Sequence, residues 1–122
     1  MKAYLEAISN HRIFLTEILL DDDSNPKIKD RTKLLAFIAA ELTIENQILM
    51  HFSRKEILEF IRSESECMSK KINLYNDLSL HKSLMGYMLG YDHCKYLLNI
   101  FEYQIEETVI EWGKHIPQSI LG

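Results

Sequence analysis

The chain has 122 residues, 47% of them hydrophobic and 26% charged. That balance excludes a disordered chain or a fibre and gives enough length for one buried core but not two. Four glycines and two prolines are too few for a sandwich or barrel of many tight turns, so long helices are expected. The formal net charge is −4, with three acidic groups at Asp21–Asp22–Asp23, whereas nucleic-acid binders carry a basic excess or stripe.

No repeat or low-complexity segment divides the sequence, so residues 1–122 are expected to form one helical domain. Cys67 and Cys94 lie far apart with no CxxC spacing, which reads as two reduced, buried thiols of a cytosolic protein. MKAYLEAISN has no apolar core of the secretory type, and the longest apolar run, Leu34 to Ala40, is too short to span a bilayer. A cytoplasmic protein without a membrane segment is expected.

The first segment, Lys2 to Leu20, places Leu5, Ile8, Leu15 and Leu19 on one helical face beside Phe14 and Ile18. It ends in DDDSNP, where Pro26 suits a turn or a first helical position. The second runs from about Lys29 to Met50, with Leu34, Leu35, Ile38, Leu42, Ile48 and Leu49 near one stripe. Ser53-Arg-Lys-Glu56 then has the form of a capping box, and Phe52 with Ile57 that of a hydrophobic staple. The third segment extends to about Tyr75, before Asn76–Asp77.

The stretch SRKEILEFIRSESECMSKKINLY resembles the helix-turn-helix segment of bacterial cyclic-AMP-receptor-type regulators through Arg54, Glu56, Ile57, Ile61, Glu66 and Met68. The resemblance covers some twenty residues and implies a DNA-reading motif. It departs from the family pattern where that motif is tightest. Leu58 stands where a small residue lets two helices cross, and Arg62 where the turn needs a left-handed glycine. Ser63 and Lys71 occupy inward positions. One continuous amphipathic helix is therefore the leading expectation.

The fourth segment, from about Ser79 to Lys114, carries a seam of Leu84, Tyr87, Tyr91, Cys94, Leu98, Phe101, Ile105, Val109 and Trp112. A second stripe, Leu89, Tyr96, Tyr103 and Ile110, repeats every seven residues with Ile100 nearby. At about 100° per residue, Tyr96 lies about 160° from Leu98 around the helix. A helix apolar on opposite faces is either central in its fold or covered by another chain. Glu107 and Glu111, in or beside the second stripe, suit the rim of an interface better than a core. Gly86-x-x-x-Gly90 adds a possible close helix approach. Four segments with short connections predict an all-α, mostly antiparallel four-helix bundle with a long C-terminal helix.

Chemistry is hard to find. No Glu-x-x-His pair or HExxH exists, since the residues three before each histidine are Ile8, Ile48, Leu78, Gly90 and Trp112. Asp77/His81 and Glu111/His115 read as surface ion pairs, and Asp21 to Asn25 as a solvated turn rather than a calcium loop. Glu41 and Glu45 share a face beside the second helix's stripe and are expected to reach water. Cys94 falls on the inner seam, with His93 well away from it.

The sequence thus predicts a small cytosolic, non-enzymatic protein that binds another protein, as an adaptor, chaperone, inhibitor or immunity-type protein. Leu89, Tyr96, Ile100, Tyr103, Glu107 and Ile110 form its contact face. It is expected to dimerise with itself and to need no cofactor or metal. The alternative is a transcription regulator that reads DNA with residues 53–75 and dimerises through its last helix. A weaker third reading is an enzyme or metal carrier using Glu41, Glu45 and histidines from other helices.

Overall fold

The computed structural model describes residues 2–20 and 31–102. Within them the chain forms four helices and no strand: α1 (Lys2–Leu20), α2 (Arg31–Leu49), α3 (Arg54–Leu74) and α4 (Leu78–Glu102). The expected all-α four-helix bundle is the observed one. Successive helices run antiparallel. Glu41 of α2 meets His11 while Arg31 meets Leu19 at the other end of α1, and Arg54 of α3 meets Asn99 of α4 while Phe60 meets Tyr91.

The most extensive contact joins α2 and α4, which run parallel. Gly86 lies against Lys33 and Ala36, and Gly90 against Phe37 and Ala40, so both sequences advance together. A Cβ on Gly86 would sit 2.4 Å from the Lys33 carbonyl oxygen, and one on Gly90 would sit 2.7 Å from the Ala40 Cβ. The Gly-x-x-x-Gly spacing therefore works inside the chain, where it brings two backbones together. Helix α4 consequently touches α1, α2 and α3.

Helix α3 is unbroken from Arg54 to Leu74, so the turn that a helix-turn-helix needs near residues 62–65 is absent. Arg62 occupies an ordinary helical position, paired with Glu66 one turn on at 3.1 Å. At the helix start, Ser53 Oγ accepts from Glu56 N–H and Glu56 Oε1 accepts from Ser53 N–H, which completes the expected capping box. Ile57, Ile61 and Met68 are buried along one stripe against α4.

Between α2 and α3, Phe52 N–H donates to Gln47 O and His51 N–H to Ile48 O. This is a Schellman ending with His51 in the left-handed region at φ 65°, a position that ordinarily favours glycine. At the next turn Asp77 Oδ1 accepts from Leu80 N–H and caps α4.

The stripes predicted for α2 and for the cysteines need correction. Leu34, Ile38 and Ile48 are buried, but Leu35, Leu42 and Leu49 point outward. Phe37, Ala40 and Ile44 take the inner places instead, because α2 packs against both α1 and α4. Cys94 is buried as expected, whereas Cys67 is exposed, since α3 turns only its Ile57/Ile61/Met68 side inward.

Candidate functional site

The inner stripe of α1 is Tyr4, Ile8, His11 and Leu15, a run at spacings of four and three that carries one imidazole into the core. The inner stripe of α2 is centred on Glu41, between Leu34, Phe37 and Ile38 before it and Ile44 and Ile48 after it. Helix α4 adds His93, 8% exposed and beside the buried Cys94. Three helices thereby bring His11, Glu41 and His93 together inside the bundle.

His11 Nδ1 and Glu41 Oε2 share a hydrogen bond at 2.6 Å, with both side chains fully buried. The His11 and His93 rings stack with centroids 4.6 Å apart. Phe37 closes one side, at 6.1 Å from the His11 ring and 5.4 Å from that of His93. Nitrogen or oxygen atoms from all three residues lie within 4.8 Å of one another. Nearby, the buried Tyr4 hydroxyl donates to Cys94 O at 2.8 Å.

Burial pushes the Glu41 carboxyl above its ordinary value, against the hydrogen bond and charge of His11 and the charge of Arg12, which pull it down. Burial also pushes up the Cys94 thiol and the Tyr4 phenol, and the Glu41 charge adds to both shifts. The Glu41 carboxyl, the Cys94 thiol and the Tyr4 phenol therefore hold their protons more tightly than they would in water. One turn on from Glu41, Glu45 accepts from Arg12 Nε at 2.5 Å and Nη2 at 3.2 Å, a forked pair at the edge of the core. Consecutive residues of α1, His11 and Arg12, thus serve two carboxylates spaced four apart on α2.

Three expectations are overturned here. Glu41 does not reach water, because the face it shares with Glu45 is the one that α1 covers. His93 does not point away from the interior, because α4 is packed on more than one side. Asp77 and His81 form no acid–imidazole pair: Asp77 caps α4, and the His81 ring nitrogen contacts the Tyr75 carbonyl.

Of the predicted contact face, Leu89 is half-buried against the smaller core cluster and Ile100 against the larger one, while Tyr96 is 50% exposed. Tyr103, Glu107 and Ile110 lie outside the described residues, as does the Glu111/His115 pair. What the sequence reading did not foresee is the outer side of α2. Leu35, Leu42 and Leu49 recur every seven residues and are 57%, 43% and 58% exposed. Thr32, Ala39 and Asn46 alternate with them at spacings of three and four, and Thr32 and Asn46 are exposed too.

No described helix is long and apolar enough to cross a membrane. Comparison of the chain with protein-family models, with curated proteins and with solved structures finds no match.

Proposed function

We propose that this chain is a non-enzymatic protein-binding protein of the cytoplasm, and that the first protein it binds is a second copy of itself. The observation that carries the reading is the open seam on α2. Three leucines stand about half in solvent along a helix whose other faces are covered. Large apolar side chains gathered in a stripe mark contact surfaces, whereas single exposed ones do not.

The spacing favours a like helix as occupant. Residues 32, 35, 39, 42, 46 and 49 alternate at intervals of three and four, the pattern by which one helix packs along another. Leucine recurs at one position of the repeat, and Asn46 stands at the other, where a single polar residue fixes register. The seam is narrow, as a helix-on-helix contact requires. Tyr96 on α4 adds a second exposed site, whose ring supplies area while its hydroxyl tolerates water.

Sedimentation equilibrium of the full chain tests the reading. Dimeric wild-type protein and monomeric, still helical Leu42→Glu/Leu49→Glu protein support it. If Tyr96→Glu/Tyr103→Glu alone breaks the dimer, the contact lies on α4 instead. Wild-type protein that stays monomeric at high micromolar concentration would sink self-association altogether.

A further inference from the structure

The His11 hydrogen bond serves only one oxygen of Glu41. The other, Oε1, is equally buried and accepts no hydrogen bond from the protein. An ionised carboxylate in an apolar interior is expensive unless its lone pairs are met. A structural pair needs one base for one acid, and α1 and α2 already provide that. Here a third helix adds a second imidazole, stacked on the first, to the same spot.

We propose that His11, Glu41 and His93 form a binding site for one divalent transition-metal ion of the zinc class. The donor set is two imidazole nitrogens and one carboxylate oxygen, contributed by α1, α4 and α2. Imidazole suits ions such as zinc or cobalt, whereas magnesium and calcium prefer all-oxygen surroundings. Two histidines and a glutamate are a recurrent protein set for zinc, with the fourth position left to a small ligand from solution.

The distances are within reach of such a site. Donors bound at about 2.0–2.2 Å to a tetrahedral ion lie roughly 3.4 Å from one another. The centre, whose donors lie within 4.8 Å, needs to contract by no more than about 1.5 Å, while the 2.6 Å His11–Glu41 pair opens. The proton between His11 and Glu41 is released to solvent as the ion enters, which frees the His11 nitrogen and one Glu41 oxygen to ligate it. Phe37 packs against both imidazoles and all three ligands are buried, so charge interactions within the site are stronger than at the surface. The Arg12–Glu45 pair beside it keeps the second carboxylate of α2 occupied, which limits the site to one ion.

The test uses the full chain, unfolded with a chelator and refolded with zinc or with cobalt. One equivalent bound per chain is expected, with a raised melting temperature in zinc and the strong visible absorption of a tetrahedral, imidazole-bound cobalt ion. His93→Phe and Glu41→Gln, which roughly preserve side-chain size, should lose the stoichiometric ion. His51→Ala and His81→Ala should retain it. Uptake by the refolded wild type that stays well below one equivalent overturns the site, as does wild-type binding by His93→Phe. Should both core variants fail to fold, the wild-type histidine ring resonances decide. Two buried rings must shift when zinc is added, and unshifted rings refute the proposal.

Discussion

Helix α3 buries Ile57, Ile61 and Met68 and turns most of its charged side chains to solvent, whereas α2 buries Glu41 and leaves Leu35, Leu42 and Leu49 outside. The difference follows from the neighbours. Helix α3 leans chiefly on α4, so one face is inside and amphipathicity alone orients it. Helix α2 is held between α1 and α4, so most of its circumference is interior and its outer seam is narrow. On α3 the amphipathic pattern predicts which side is buried, with Leu74 at the helix end left exposed. On α2 it does not, because a carboxylate with a partner can lie inside and a leucine on the far side cannot.

Mutations can break or sharpen this contrast. The largest effect is expected at the contact that holds α2 in place. Gly86→Val puts a branched side chain against the Lys33 backbone and should cost about 3 kcal/mol or more. Cys67→Val on the exposed side of α3 should change stability by no more than about 0.5 kcal/mol in the same urea titration.

Next come the carboxylates. Glu41→Ala strips His11 of its buried partner and should lower the unfolding free energy by about 3 kcal/mol. Glu59→Ala, exposed on α3, should leave it within about 0.5 kcal/mol. Equal effects at the two positions would erase the distinction between the helices. The apolar residues should show the reverse asymmetry. Ile61→Ala should cost about 3 kcal/mol, and Leu42→Ala less than about 1 kcal/mol while still weakening association.

Smaller effects belong to the turn that joins the two helices. Ser53→Ala removes the α3 cap and should cost about 1 kcal/mol by thermal denaturation. The backbone and then the side-chain hydrogen bond with Ser53 hold the Glu56 carboxyl below its ordinary value of 4.5. Its folded value lies below its unfolded one, so its stabilisation is present at neutral pH and is lost as pH falls through that range. Glu56→Gln should therefore differ from wild type at pH 7 and converge with it in acid. A gap that persists in acid would mean that the cap does not depend on the carboxylate. Last, His51→Gly relieves a left-handed backbone and should raise stability by up to about 1 kcal/mol.

Much of the scaffold was legible in the residues. Period and breakers located four helices, and Ser53 with Glu56 marked the start of α3 to the residue. Leu58 and Arg62 argued against a turn that the helix does not make. Gly86 and Gly90 announced a close approach without saying to what. The core centre was written less plainly. His11 sits on the Tyr4, Ile8, Leu15 stripe and Glu41 at the middle of the α2 inner face, so each broke an apolar pattern at an inward position. Counting Leu35, Leu42 and Leu49 into that pattern widened it and moved Glu41 to its border.

By itself the sequence determined which segments are helices, where α3 begins, and that no strand is favoured, because these depend on neighbours three or four residues away. The tertiary structure decided which apolar side of α2 faces inward, that α4 is packed on several sides, and that His11, Glu41 and His93 meet. Helical period specifies that a helix has sides, but not which neighbour covers each one. Residues 30 positions apart, such as His11 and Glu41, are joined only when α1 packs against α2.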